Sequence, residues 1–477
     1  MDLRIIDGRI AAIEPSLPDD GSREVRADGR WLIPGLWDHH VHMTQWAMTL
    51  SRLDVSATSG PDDVLRIFAA HEAMIEDRTT TIVGFGFRSA GWQTQPTVHA
   101  LDQVAPTRPV VLISGDAHNG WLNSTALRML GLPARDTAIV ENDWFDVFPL
   151  LSGLPGMTTD PVDAYRTALQ DAASKGVVGI TDMEFASSVA TWTNLIPRGI
   201  DTLRVRSCTY LHGLSRTIEA GLRTGDALPG TLGMATMGPL KIISDGSLGT
   251  MTALCCAPYA GHLTRGTCNV SFDELVTALG EARAHGMDAA VHAIGDAATT
   301  MVLDAFETTG IRGCIEHAQL LDPVDIPRMA ALNVGASVQP AHLVDDRDLS
   351  DQLWPDCSER SFMLRSMLDA GVRVTFGSDA PVSQLNPWLA MASAVHRSAD
   401  TRDPWGPGQA ISPAEALAAS TDGRGTLRVG EVADIVFLDA DPLQVEPGTN
   451  SAIDGHRLRT MPVAATLVGG RCVYDAL

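Results

Sequence analysis

The sequence is short of basic residues, poor in cysteine and without a long apolar run, and each shortage removes a class of function. Lysine and arginine number 35 against 58 aspartates and glutamates, a net charge of −23 over 477 residues. A chain this acidic is repelled by phosphate backbones and anionic lipid surfaces, so neither nucleic acid nor membrane is expected as a partner. Seven cysteines, an odd number with no Cys-x-x-Cys spacing, argue against a disulfide framework and a structural zinc knuckle. The adjacent Cys255 and Cys256 read as small core residues. No apolar run is long enough to span a bilayer, and the start, Met1 to Ile5, has no basic segment leading into an apolar signal core. The expected location is the cytoplasm. Core-forming sequence is plentiful: hydrophobic residues make up 45% and charged residues 19%, which suits a folded chain with room for two structural domains.

From residue 176 onward, β-rich runs alternate with helical stretches. Strands are expected over 176–181, 203–211, 240–243, 287–292, 314–317, 334–339 and 372–377, and 32–36 adds an eighth. Between them, stretches such as 273–285 and 322–332 carry helical periodicity behind N-terminal Asp or Ser. Repeated βα units predict a parallel sheet covered by helices, and eight of them predict an α/β fold of the (β/α)8 TIM-barrel type. In such a barrel, functional side chains lie where the strands end. The segment of about 60–150, after the first strand, is too long for an ordinary βα connection. It holds strand-like pieces at 81–87 and 109–114, and because it leaves from the end of strand one it is expected to stand above the rim and cap the pocket. The two chain ends read as strands and turns, with a hairpin over 3–13 around Asp7-Gly8 and strands in 430–439 and 464–474. The expected division is a small β-sandwich from 1–30 and 425–477 beside a barrel domain over 31–424.

The apolar run 31–37 leads into Asp38-His39-His40-Val41-His42. On a strand, residues i and i+2 share a face, so His40 and His42 offer two imidazoles to one ion while Val41 faces the opposite layer. Alone, the pair also fits ordinary polar residues near a strand end. Further along, His292, His317 and Asp379 close the fifth, sixth and eighth expected strands. Each by itself reads as a hydrogen-bonded core residue or a helix cap. Together, five ligand-type side chains at rim positions point to a zinc-like ion with an open position for water. Lys241, on the fourth strand, reads as an ion-pair partner of Asp245 unless carbon dioxide carboxylates it. The resulting carbamate has two oxygens able to bridge two ions, and its formation needs a neutral lysine, which burial favours. Asp182 and Glu184, ending strand two, read either as partners behind the ligands or as helix caps.

In order, Pro34-Gly35, Asp38-x-His40-x-His42, Lys241, His292, His317 and Asp379 resemble the amidohydrolase superfamily over nearly the whole chain. Asp245-Gly246-Ser247-Leu248-Gly249, His292-Ala293-Ile294-Gly295-Asp296 and Gly377-Ser378-Asp379-Ala380-Pro381-Val382 are similar to a subgroup that includes N-substituted formamide deformylases and exoenzyme-regulatory-like proteins. His118 and Asn123-Ser124-Thr125-Ala126-Leu127 resemble that subgroup's His and Asn-x-x-Ala-Leu signature. The resemblance implies a binuclear centre of divalent metal, zinc, with one or two ions per chain. His40 and His42 would hold the more buried ion, carboxylated Lys241 would bridge, and His292 and His317 would hold the second. Asp379 would touch metal and take a proton from water, and His118 would act on the substrate carbonyl or its leaving group. The implied activity is hydrolysis of a non-peptide carbon–nitrogen bond in an amide or formamide. Cleavage of an ester, lactone or carbamate on the same site, or a non-catalytic ligand-binding regulatory role, are the alternatives. Trp92, Asn123, Gln339 and His342 are candidate substrate contacts, and the expected partners are a small-molecule substrate and a second copy of the chain. One departure is at the N-terminus, where family members usually have another strand before Asp7-Gly8-Arg9-Ile10.

Overall fold

The computed structural model describes residues 1–477 apart from 20, 22, 51, 76, 78, 90–91, 116–118, 158–161, 186, 399–401, 445–450 and the side chains of 141–142 and 451–454. Eight parallel strands lie side by side in chain order: β1 (Leu36–Val41), β2 (Val177–Asp182), β3 (Arg204–Tyr210), β4 (Ala235–Ile243), β5 (Ala289–Ala293), β6 (Gly313–His317), β7 (Gly335–Val338) and β8 (Val374–Phe376). Every residue of β2 and β7 is buried, as strands covered on both faces require. The first and last strands meet through the segment after β8. Asp379 N–H donates to the His40 carbonyl at 2.7 Å, and His42 N–H donates to the Ala380 carbonyl at 2.8 Å. The sheet is thus the wall of a (β/α)8 barrel, and the bonds that join its two edges lie at the rim.

The start of the barrel departs from the sequence pattern. Trp31–Pro34, part of the stretch expected to be the first barrel strand, instead pairs antiparallel with Ile435–Leu438 in a separate sheet. The barrel strand begins at Leu36, so one apolar run serves two sheets. Gly35 is the crossing point, since a Cβ there would lie 2.3 Å from a methyl carbon of Val178 on β2. Only glycine lets the chain step between sheets so close to its neighbour.

Helices between the strands follow local signals. Ser271 and Glu274 form a capping box at the start of Phe272–Ala284, which buries Leu275, Ala278, Leu279 and Ala282 on one face. Helix Asp325–Ala331 starts later than the expected 322, because the Asp322 carboxylate accepts the Val324 N–H and closes a turn first. At the chain ends, Trp31–Pro34, Ile435–Leu438, Val463–Val468 and Arg471–Asp475 form a four-stranded sheet, and Asp2–Ile6 pairs with Arg9–Glu14. Ile10 shares one core with Ala433, Ile435, Phe437, Ala464 and Ala465.

Thr44–Thr167 is a compact unit of its own. It is wider than the 60–150 segment because the short strand Leu53–Asp54 already pairs with Ile82–Phe87 inside it. Along Val110–Ser114, Val111 and Ile113 join one core cluster with Trp144, while Val110 and Leu112 join another with Phe68 and Trp121. This alternation buries both faces of the unit's five-stranded sheet. Among the described residues no helix is long and apolar enough to cross a membrane.

Candidate metal centre

β1 brings Asp38 and His40 to one face, and the chain leaves it through His42. Asp38 works on the backbone: its Oδ1 accepts the N–H of His40 at 3.1 Å and of Ser378 at 2.9 Å. It thereby ties β1 to the loop that carries Asp379, and burial pushes its carboxyl up to about 7. His40 Nε2 and His42 Nε2 each lie 3.4 Å from Asp379 Oδ1. The His317 ring centre is 5.0 Å from that of His40 and 4.4 Å from that of His292. One donor atom from each of His40, His317 and Asp379 falls within 4.8 Å of the other two. His342, expected as a substrate contact, starts a helix with its Nε2 3.9 Å from Asp379 Oδ2.

Glu316 was not singled out by the sequence reasoning, yet its Oε2 lies 2.6 Å from His40 Nδ1 and both side chains are buried. Strand alternation would send Glu316 and His317 to opposite faces. His317 instead adopts a φ of +72°, and both side chains neighbour the His40 ring. A left-handed conformation at a non-glycine residue costs on the order of 1–3 kcal/mol and is retained where the surroundings hold it. Asp379 is in the same region, with φ +56°. A signal for Glu316 was present: a lone acid in a strand buried on both faces needs a buried partner.

The charges fix the protonation pattern. Burial, reinforced by Lys241, pushes the His40 pKa down. Burial alone would raise Glu316, but His40 and the hydrogen bond between them bring it to about 2. The consistent state is a neutral His40 that donates Nδ1–H to an ionised Glu316, leaving the Nε2 lone pair toward Asp379. Burial would likewise raise Asp379, but the imidazoles around it hold it well below the usual carboxylate range. A bare lone pair and a carboxylate oxygen 3.4 Å apart repel unless positive charge lies among them, which an ion supplies, or a protonated His42, whose pKa Asp379 raises against burial. His42 Nδ1, His317 Nδ1, His342 Nε2 and Lys241 Nζ are also buried without a hydrogen-bond partner. Orphaned buried nitrogens cost about 1–3 kcal/mol each, and lone-pair nitrogens recover this by ligation. The residues present therefore fit a divalent cation.

Lys241 does not pair with Asp245, which corrects the ion-pair alternative. The Asp245 carboxylate is taken by the backbone N–H groups of Ile294, Gly295 and Leu254 at 2.9–3.1 Å. Burial pushes the Lys241 pKa down. His292 Nε2 faces the Gly246 carbonyl at 3.1 Å and Asp245 Oδ1 at 3.3 Å, so it stands beside the tight cluster rather than in it. Asp182 does not cap the helix that follows, whose N-cap is Ser187 accepting the Ala190 N–H. The Asp182 carboxylate accepts the Met43 N–H just after His42, and it holds Ser188 and Trp192 of helix Ser188–Leu195.

Two candidate substrate contacts, Asn123 and Trp92, are engaged elsewhere, and Gln339 is so only through its Nε2. Asn123 is wholly buried, its Oδ1 accepting from Val110 and Ala126 N–H and its Nδ2 donating to the Ala105 and Arg108 carbonyls, so no hydrogen-bonding position is left for a ligand. Trp92 packs against Phe87 in the core of the same unit. Gln339 is buried and donates to the Ser337 carbonyl at 3.2 Å. His118, the second expected catalytic residue, lies outside the described residues.

Comparison with known proteins bears on this geometry. The model of the amidohydrolase family matches residues 23–474. The chain belongs to the amidohydrolase family. Protein LONG AFTER FAR-RED 3 of Arabidopsis thaliana is 28% identical over 95% of this chain and 84% of that protein. N-substituted formamide deformylase of Arthrobacter pascens is 26% identical over 98% of this chain and 94% of that enzyme. In fold, the chain is similar to a metal-dependent hydrolase of Pyrococcus horikoshii OT3, with a TM-score of 0.78 at 24% identity, covering 94% of this chain and 95% of that one. In this amidohydrolase-family barrel the backbone bonds between its edge strands hold His40, His42 and Asp379 at the rim.

Proposed function

We propose that the protein is a metal-dependent hydrolase that cleaves the carbon–nitrogen bond of a small non-peptide amide or formamide. One geometric fact carries the proposal: His40, His317 and Asp379 converge within 4.8 Å in buried surroundings, with a lone pair set against a carboxylate. His40, His42, His292, His317 and Asp379 would hold one or two divalent ions, and an imidazole-rich set with carboxylate suits zinc. Lys241, whose pKa burial pushes down, would add to carbon dioxide with loss of a proton, and the resulting carbamate would be a further anionic ligand for the centre. Bound ions of this kind supply an acidified water and a polarised carbonyl. Asp379, ionised at neutral pH, would accept the proton from the attacking water and return it to the leaving nitrogen. Glu316 keeps the His40 proton on Nδ1, so that Nε2 faces the cluster. The deformylase relative acts, by its name, on an N-substituted formamide, which supports carbon–nitrogen cleavage over ester cleavage.

The test is elemental analysis of protein grown with zinc and bicarbonate, followed by a library of formamides, acetamides, esters and lactones read as released amine or acid. One or two zinc ions per chain and amine release are expected. Metal-free protein would overturn the metal centre, and turnover confined to esters would overturn the carbon–nitrogen assignment.

A further inference from the structure

Behind the cluster stands a thiol that the hydrolytic chemistry does not use. Cys314 precedes Glu316 by two residues on β6, and residues i and i+2 of a strand share a face. Its Sγ lies 3.2 Å from Glu316 Oε1, while Glu316 Oε2 takes the His40 Nδ1–H at 2.6 Å. A chain of two hydrogen bonds thus runs from Cys314 through Glu316 to a candidate metal ligand. An ionised carboxylate can only accept, so the thiol is the donor. Burial, reinforced by the Glu316 charge, pushes the Cys314 pKa well above the ordinary thiol range, which keeps the proton on sulfur. Ser337, opposite Glu316 on β7, also favours the ionised acid, although its hydroxyl has no partner in hydrogen-bond geometry among the described residues.

Met183, Cys208 and Ala290 share a core cluster against which Cys314 packs, and an aliphatic side chain would satisfy those contacts as well. What distinguishes the thiol is its strength as a donor. With no donor, Oε1 would be a bare anionic oxygen on a side chain only 1% exposed, a costly state. With a hydroxyl in its place, a stronger donor would compete with His40 for the carboxylate charge. A thiol donates weakly, so it satisfies Oε1 and leaves most of that charge to Oε2. We propose that Cys314 is a positioning residue that sets, through Glu316, how strongly His40 is held as a metal ligand. The proposal rests on the metal-dependent hydrolase reading for the ion that His40 binds, but not for the bonds themselves.

The experiment compares Cys314→Ala and Cys314→Ser with the parent in two readouts. Zinc affinity is measured by chelator competition. The His40 Nδ1–H signal of metal-free, 15N-histidine-labelled protein is followed by NMR and recognised by its shift in Glu316→Gln. Removing the donor concentrates charge on Oε2, so Cys314→Ala should bind zinc about 2- to 5-fold more tightly and move the signal downfield, although its melting temperature falls. Cys314→Ser should bind zinc about 2- to 5-fold more weakly and move the signal upfield. In a Glu316→Gln background both differences should vanish. A packing role would move affinity and melting temperature in the same direction. Affinities that fall in both variants or stay unchanged in both would therefore overturn the proposal, as would differences that survive Glu316→Gln. Should Cys314→Ala not fold, an unchanged affinity and signal in Cys314→Ser would overturn it. If the parent binds no zinc, the metal-centre reading fails, and the two opposite signal shifts in metal-free protein still decide the role of Cys314.

Discussion

Substituting Glu316 separates a His40 held ready as a ligand from one that merely packs. The bond at issue, Glu316 Oε2 to His40 Nδ1, is 2.6 Å long between two side chains that are each 1% exposed. Glu316→Gln keeps the shape and one oxygen for the Nδ1–H but removes the charge. Charge-assisted bonds are about twice as strong as neutral ones, so the imidazole loses on the order of 1–1.5 kcal/mol of support and some basicity at Nε2. Removal of such a partner typically weakens metal binding or activity about 10- to 100-fold. Zinc affinity should fall about 10-fold in Glu316→Gln, with thermal stability nearly unchanged. Glu316→Ala should lose about 100-fold and also about 1–3 kcal/mol of stability, because a buried N–H is left unpaired. Chelator competition with a chromophoric zinc indicator gives the affinity, and circular dichroism melts give the stability. If Glu316→Gln binds zinc within about twofold of the parent and turns over normally, the carboxylate does not orient His40.

Asp379→Asn should lower kcat by about 10²–10⁴ while metal content and melting temperature hold, and amides should suffer more than activated esters because their leaving nitrogen needs the proton. Undiminished amide turnover would remove Asp379 from that role. Asn123→Ala breaks four buried hydrogen bonds, one of them the cap of helix Ser124–Met129, so it should cost about 3–4 kcal/mol and loosen Thr44–Thr167 in hydrogen exchange. A normal melt combined with altered kcat/KM would make Asn123 a substrate contact after all. His39 has its pKa pushed down to about 4, chiefly by burial, despite Asp422 at 3.8 Å. Its neutral form is favoured by folding, so this contribution is complete above the unfolded value of about 6.5 and is lost as pH falls toward 4, by up to about 3 kcal/mol. Urea unfolding at about pH 7.5 and about pH 5 should show parent stability falling faster than that of His39→Gln, and parallel losses would refute the assignment.

The barrel was legible because its signals are local and repeated. Each βα unit carries an apolar run and a capped amphipathic helix, as Ser271 and Glu274 show for Phe272–Ala284. The boundary at Gly35 was marked only by the Pro34-Gly35 turn signal inside an otherwise continuous apolar run, and that signal was not read as a change of sheet. What separates the two strands is a close approach to Val178, a residue more than a hundred positions away. His40, His42, His317 and Asp379 could be named from spacing and strand ends, since those rules concern single residues at rim positions. Glu316 was missed although a lone acid in a buried strand signals a buried partner, and Asp38 entered only through the motif it shares with His40 and His42, because the partners that define both roles lie on other strands. The left-handed turn at His317, which overrides alternation, leaves no mark in the residue types around it. Asn123 shows the opposite failure: a motif suggested a functional residue, and its four internal hydrogen bonds make it structural.

Fold and site share the same bonds. The N–H of Asp379 and the N–H of His42 are the donors that join the end of β8 to β1, and both residues carry side chains of the cluster. Asp38 adds a third tie, accepting from His40 and Ser378, the neighbours of those donors in space. The seam therefore fixes the backbone positions from which Asp379, His40 and His42 project. From those positions a carboxylate and two imidazoles meet at 3.4 Å, with Glu316 behind His40 and with Asp379 raising the pKa of His42. A purely structural seam has no use for that arrangement, since apolar side chains at the same three positions would close the barrel without buried charge. A charged set at the closure point is what a cation site requires and what packing alone does not.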